Sequence, residues 1–212
     1  MSGDAKRAEI ELFVFPLPQV SLFPMTTKPL NIFEPRYKEM VEDALRDERL
    51  IALAYTDVAS AASREQGLLS HVRSIAGYGT LRVFERRDDG TLIVLIDAVG
   101  KLVLETAVPS EKPYIVAKGR KVDEATTLDP AHVFLLNRIM KRFRAQIEAH
   151  MDDARERERF WQRLQTPEEK VNAYCTMVVE DPEQRQRLLE TDGVSERLSL
   201  ATLLLDSEKT SH

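Results

Sequence analysis

Alternating hydrophobic positions bounded by turn signals run through the first half of the chain and predict β-strands. The run 75–85 leads through Asp88-Asp89-Gly90 into the run 91–97. An Asp-Gly pair favours a tight hairpin, because both central residues of such a turn tolerate positive φ. The second run is apolar on both faces, which is typical of a strand covered on both sides. Further strands are predicted at Leu50–Thr56, at Lys101–Val108 after a turn at Gly100, and at Pro113–Val122.

Apolar residues at three- and four-residue spacing predict one early helix and several helices in the last third. The early helix is expected near residues 35–48, where Pro35 suits a first turn that needs no N–H. Three later starts share one signal, an oxygen-bearing side chain before proline, at Asp129, Thr166 and Asp181. The first of these helices is predicted to bury the stripe Val133, Leu136, Met140, Phe143 and Ile147.

These patterns predict an α+β protein in two parts. Residues 1–125 are expected to form a β-rich subdomain with the one helix near 35–48. Residues 126–207 are expected to form a helical bundle, and residues 208–212 a loose tail. The polar segment between the two parts has only the length of a loop.

Composition and charge narrow the range of functions. The chain has 212 residues, a hydrophobic content of 43% and a net charge of −5. The acidic balance argues against a general nucleic-acid binder, which needs a basic face. No apolar run approaches the roughly 18 residues of a membrane helix, and the N-terminus lacks the apolar core of a signal peptide. Cys175 is the single cysteine, and its apolar neighbours predict a buried thiol in a reducing cytoplasm.

Motifs for catalysis are missing from the sequence. Gly77-Tyr78-Gly79 lacks the further glycine and lysine of a phosphate-binding loop, and the four histidines are scattered. Glu42 and Asp43 are adjacent on a predicted helix, so their carboxylates point in different directions. We therefore expect a protein that is not an enzyme and that uses no metal or cofactor.

One proline-rich stretch, residues 16–37, stands out and continues into a series of linked motifs. It contains Pro-Leu-Pro at 16–18, Leu-Phe-Pro at 22–24 and Ile-Phe-Glu at 32–34, followed by Arg36-Tyr37. The later segments "GYGTLRVFERRDDGTLIVLIDAVGKLVLE", "PYIVAKGRKVDE" and "DPEQRQRLLETDGVSERLSLATLLL" follow in order. Together, over about residues 11–206, these motifs resemble the N-terminal, substrate-binding domain family of Lon proteases. The likeness is strongest to stand-alone members of the family.

The resemblance implies a PUA-like β pseudo-barrel followed by a helical bundle. It also implies a non-catalytic domain that binds unfolded or tagged polypeptides, as an adaptor or substrate-recognition factor working with a protease or chaperone. The printed sequence holds neither the AAA+ module nor the Ser-Lys protease domain of Lon, so proteolysis is not expected. The alternative is a PUA-like module that binds nucleic acid or nucleotides.

The same resemblance points to candidate binding residues in the proline-rich stretch. Leu17, Leu22, Leu30 and Ile32 are expected to fill the barrel. Glu34 and Arg36 have two interpretations: a helix cap with an ion pair that fixes the corner, or contacts to a bound polypeptide. The candidates for the exposed, peptide-binding surface are Phe23, Pro24, Met25, Phe33, Glu34 and Arg36.

Overall fold

A computed structural model describes residues 9–56 and 69–210, with side chains described to residue 207. Its residues form two compact units, which meet in sequence between Val122 and Asp123. Among the described residues, the first unit holds the strands and one α-helix, and the second holds five α-helices and a short 3-10 helix, Pro130–His132. The α+β class predicted from the sequence is therefore confirmed.

Six strands of the first unit form one sheet that closes into a ring. Along the sheet the order is β2-β5-β4-β3-β1-β6, and an additional pairing of β5 with β6 closes it. Only β1 and β3 run parallel; the other pairs are antiparallel. Their bounds are Glu9–Pro18 for β1, Thr27–Ile32 for β2, Ile51–Thr56 for β3, Ile75–Arg86 for β4, Leu92–Val108 for β5 and Ile115–Lys121 for β6.

The long strand β5 differs from the two short strands that the sequence predicts. Gly100 lies inside β5, so the expected turn at this residue is wrong. The irregularity is instead a bulge, because Tyr78 pairs with Gly100 and Gly79 pairs with Ala98, which leaves Val99 as the extra residue. The bulge lets one strand change partners along its length, from β2 at its start to β6 at its end.

Helix α1, Pro35–Arg46, packs on one face of this sheet. Alternate residues of β1 separate the two faces: Phe13 belongs to the cluster that contains α1, whereas Leu12 belongs to a second cluster rich in alanine. Leu22 and Ile32 are buried in the first cluster, and Leu17 and Leu30 pack against it. These four residues therefore line the core, as expected.

The second unit contains five α-helices among the described residues. The three predicted starts are confirmed: Asp129 accepts a hydrogen bond from Ala131 N–H, Thr166 and Glu169 form a capping box, and Asp181 accepts from Gln184 N–H. The helices are α2 Val133–His150, α3 Ala154–Arg163, α4 Pro167–Met177, α5 Pro182–Leu189 and α6 Val194–Thr210. Helix α6 thus continues three residues into the predicted tail, whose residues 211–212 lie outside the described part.

A buried arginine links three helices of the second unit, α4, α5 and α6. Arg197 is fully buried, and its guanidinium donates to Leu188 O at 2.9 Å and to Asn172 Oδ1 at 2.6 Å. It also forms an ion pair with Glu124, whose side chain is only 7% exposed. Since a buried charge needs both a counter-charge and hydrogen bonds, this arrangement offsets the cost of burying the guanidinium. Arg197 belongs to the "VSERL" segment of the last sequence motif.

Candidate functional site

Two of the six candidate residues are not on the surface. Phe23 is completely buried and Pro24 is also buried, so the expectation that they form an exposed patch is wrong. The backbone explains why: Thr26 N–H and its hydroxyl both donate to Phe23 O, which closes a tight turn. Met25, with φ of 60°, lies within that turn and faces outward while Phe23 faces the interior.

Met25 and Phe33 are exposed, but they do not lie side by side. Met25 is 56% exposed and Phe33 is 68% exposed. Met25 precedes β2 and Phe33 follows it, and the five residue steps of this strand span roughly 16 Å. Their exposure agrees with the expectation from the sequence, whereas a single compact patch formed by both side chains does not.

Glu34 and Arg36 form the ion pair that one of the two interpretations requires. Arg36 Nε lies 2.9 Å from Glu34 Oε2, and both side chains are about two-fifths exposed. The Arg36 guanidinium also stacks over the Tyr37 ring at 4.4 Å. Glu34 occupies the N-cap position of α1, but its side chain makes no capping hydrogen bond. The side-chain cap is therefore absent from the described structure, and the ion pair is present.

These two charged residues line a groove of about 510 Å³ within the first unit. One wall is the end of β1, and the opposite wall is the segment that leads into β6. The first turn of α1 closes one side. Most of the lining is apolar or aromatic; it consists of Pro16, Leu17, Pro18, Glu34, Arg36, Tyr37, Thr56, His71, Val108, Ser110, Lys112, Pro113, Tyr114, Ile115 and Val116.

The positive charges at this groove are already paired with carboxylates. Arg36 is paired with Glu34. Lys112 Nζ lies 2.6 Å from Asp43 Oδ2 and 3.2 Å from Glu39 Oε1. The groove therefore presents apolar surface with balanced charge rather than a field of one sign.

Asp43 is a buried carboxylate that contacts two residues of the groove lining, Lys112 and Tyr114. Its side chain is 5% exposed and accepts hydrogen bonds from the Tyr114 hydroxyl and from Lys112, while Arg46 lies 2.6 Å away. Burial alone would raise the pKa of Asp43, but the hydrogen bonds from Lys112, Tyr114 and Arg46 outweigh it and lower the pKa to about 2. Burial and the bond to Asp43 raise the pKa of Tyr114. No pattern in the sequence indicates this cluster; the only related expectation is that the Glu42 and Asp43 carboxylates point in different directions.

This network makes a prediction about acid stability. The pKa of Asp43 falls from an ordinary 3.8 to about 2 in the folded state, so its contribution is complete above about pH 4 and disappears as the pH falls through 2. The shift corresponds to roughly 2 kcal/mol. Asp43→Asn should therefore lose about that much free energy of unfolding at pH 7, and the difference from the parent should shrink between pH 4 and 2.

Urea titrations across this pH range measure the effect. Glu111→Gln, which removes an exposed carboxylate, controls for the change in net charge. An Asp43→Asn variant whose deficit stays constant down to pH 2 would show that the buried network does not depend on the charged carboxylate.

Other kinds of chemistry would involve a reactive thiol or a bound metal ion. Cys175 is a free, buried thiol as predicted, and burial raises its pKa to about 12, which removes its nucleophilic form at neutral pH. Within residues 9–56 and 69–210, no cluster of three histidine, cysteine or acidic residues is arranged to hold a metal ion. Among the same residues, no helix is long and apolar enough to cross a bilayer.

Comparison with known protein families identifies the family to which this chain belongs. Residues 11–207 match the family described as the ATP-dependent protease La (LON) substrate-binding domain. The chain belongs to the Lon substrate-binding domain family. The match covers nearly the whole chain, so the family membership expected from the linked motifs is confirmed.

Two curated relatives of this Lon domain support the family membership. A protein named Lon protease 1 from Thermus thermophilus is 29% identical over 94% of the chain, and one from Hydrogenovibrio crunogenus is 22% identical over 98%. The chain spans only 25% of the length of each of these curated relatives.

Two solved structures share the Lon N-terminal domain fold. A Lon N-terminal domain protein from Xanthomonas campestris superposes with a TM-score of 0.64 at 18% identity. The N-terminal domain of a Lon protease from the Mycobacterium avium complex superposes with a TM-score of 0.68 at 16% identity. Each match covers 90% of this chain and 95% of the other. At these identities the likeness establishes a common fold.

Proposed function

We propose that this Lon-family domain binds extended segments of polypeptide in the groove beside β1. The observation that carries the proposal is the groove itself, about 510 Å³ of mainly apolar surface in a family described as substrate-binding. A concave apolar site of this size suits several side chains of an unfolded chain. We propose that the domain binds its ligand at this site without catalysing a reaction.

The balance of charge supports a polypeptide ligand over a nucleic acid. Recognition of phosphates relies on unpaired cations and gives steep salt dependence. Both Lys112 and Arg36 are instead held by carboxylates at 3.2 Å or less. Binding of an apolar segment at this groove should therefore change little with salt concentration.

We further propose that the bound segment is presented to a proteolytic or chaperone partner in the cytoplasm. The support for an adaptor role is the family relation to proteins named Lon protease, of whose length the chain matches a quarter. The support for a reducing compartment is the single, buried cysteine.

Blocking the groove tests the proposal. Ser110 lies on an exposed loop at the groove, and Ser110→Trp should fill the groove without disturbing the core. The probe is a fluorescent peptide of alternating leucine and alanine with a C-terminal lysine, and its affinity is measured by anisotropy. We expect Ser110→Trp to weaken binding about tenfold or more, as loss of a buried anchor does.

Two matched variants make the result specific. Glu111→Trp places the same bulk one residue away, outside the groove lining, and should leave the affinity unchanged. Phe33→Ser removes the exposed aromatic residue at the end of β2. If Phe33→Ser weakens binding while Ser110→Trp does not, the site lies at β2 and the groove is the wrong location. If the parent instead binds a fluorescent single-stranded oligonucleotide with an affinity that falls steeply between about 50 and 200 mM salt, the nucleic-acid alternative gains support.

A further inference from the structure

The hydrogen bonds of β1 show which of its residues face the groove. Phe13 N–H donates to Leu50 O and Gln19 N–H donates to Thr56 O, and both acceptors lie on the β3 side. In an extended strand, the N–H and C=O of one residue point to the same side, and the next residue points to the other. Odd-numbered residues of β1 therefore face β3, and even-numbered residues face away from it.

On the side away from β3, strand β6 covers β1 only as far as Val14. Val14 pairs with Ile115, where β6 begins. The next two even positions are Pro16 and Pro18, which have no N–H to donate. Continued past Val14 and Ile115, the register would set Pro16 against Pro113, which has no N–H either, but the two residues are not paired. Because neither strand can donate, the ladder stops there.

All three prolines line the groove. Among the described residues, no strand pairs with residues 15–18 of β1 on this side. The wall of the groove is therefore a strand edge of unusual composition: the carbonyls of Pro16 and Pro18 point toward it, and no backbone donor accompanies them. Two such carbonyls, two residues apart in a strand, are separated by about 6.7 Å.

We propose that this acceptor-only edge binds an extended polypeptide through two of its backbone N–H groups, two residues apart. The N–H groups of residues i and i+2 in an extended chain share one edge and have the same spacing as the two carbonyls. The bound polypeptide thus lies along residues 15–18 of β1, beyond the start of β6, with its side chains against the apolar lining. This inference rests on the proposed function and specifies how the ligand is held.

The absence of donors also selects the partner. A strand edge normally pairs with any other edge, including a second copy of itself. An edge with carbonyls alone cannot pair with its own copy, since neither side supplies an N–H. It still accepts hydrogen bonds from an unfolded chain, whose N–H groups are free.

Amide-to-ester replacement in the peptide tests this inference, because an ester keeps the chain length and removes the N–H. The leucine–alanine probe is prepared in four forms: all amides, esters at the leucines, esters at the alanines, and esters at both. Each set of alternate esters removes the donors of one edge. An ester carbonyl is also a weaker hydrogen-bond acceptor than an amide carbonyl. This difference should not change the affinity through β1, because Pro16 and Pro18 have no N–H that could donate to the peptide.

We expect the peptide with esters on both edges to bind about tenfold more weakly or worse, since two hydrogen bonds are lost. At most one of the single-edge peptides should share that loss. If the peptide with both edges blocked binds as well as the all-amide peptide, the backbone inference is overturned while polypeptide binding stands. A loss with both single-edge peptides also overturns it, because the client then needs both edges. Failure of the all-amide peptide to bind, or to respond to Ser110→Trp, instead overturns the proposed function.

Discussion

Replacing Gly77 with alanine should destabilise the first unit, which contains the ring of strands, by about 3 kcal/mol or more, or prevent soluble expression. A Cβ atom at this position would lie 1.8 Å from the carbonyl oxygen of Leu22 and 2.7 Å from its carbonyl carbon. Both contacts are with backbone, so no side-chain rotation relieves them. The segment that follows β1 crosses directly over β4 at this point, and only glycine permits that approach.

Gly100→Ala provides a graded control for this prediction. Its Cβ would approach only the ring of Tyr78, at 3.1 Å or more, and a side chain can move by that margin. Urea unfolding followed by circular dichroism should therefore give a much smaller loss for Gly100→Ala than for Gly77→Ala. Equal losses would show that the crossing of the Leu22 segment over β4 is not as close as described.

Replacing Arg197 with methionine should cost the helical unit about 3 to 5 kcal/mol. The substitution keeps most of the apolar volume but leaves the Glu124 carboxylate buried without its counter-charge. It also leaves Asn172 Oδ1 and Leu188 O without the donors they now have. Trp161, the only tryptophan, lies in α3 against Phe143, so its fluorescence reports the unfolding of this unit.

Two further variants separate the charge from the packing. The double variant Arg197→Met with Glu124→Gln removes the orphaned charge and should recover at least about 1 kcal/mol relative to the sum of the single variants. Arg138→Ala breaks a partly exposed ion pair with Asp206 in the same unit, and it should cost about 1 kcal/mol or less. If Arg197→Met costs no more than Arg138→Ala, then Arg197 is not the structural centre of the helical unit.

Local features of the sequence predicted the helices of this protein well. The starts after Asp129, Thr166 and Asp181 depend on hydrogen bonds within three residues, so the sequence alone contains the necessary partners. The stripe on α2 was predicted less well. Ile139 is buried in its middle, whereas Val133, at its start, is about half exposed because the first turn extends beyond the packed face.

Features that depend on distant partners could not be predicted in this way. Asp43 is buried because Tyr114, 71 residues later, reaches its carboxylate, and Arg197 is buried because Glu124 lies 73 residues earlier. Neither partner has a spacing that a pattern can reveal. A lone acidic or basic residue on a helix is normally solvated, so burial is the exception that only tertiary contacts explain.

The candidate site shows the same division. In the proline-rich stretch, the four residues expected in the core do line it, but Phe23, Pro24, Met25 and Phe33 were all assigned to the surface. A turn closed by Thr26 sends Phe23 inward while Met25 and Phe33 remain outside. The groove needs Pro113 and Lys112 from a segment almost a hundred residues away in sequence. Pro16 and Pro113 line the same groove because the sheet as a whole brings β1 beside β6.

The order of the strands also has a consequence during synthesis on the ribosome. β1 is made first, yet one of its two partners, β6, ends at Lys121, immediately before the helical unit begins at Asp123. The ring therefore cannot close until nearly all of the first unit has been translated. At a synthesis rate of about 5 to 20 residues per second, β1 remains without its partner β6 for several seconds or more. During that interval the two prolines at its end leave fewer backbone donors for pairing with neighbouring nascent chains.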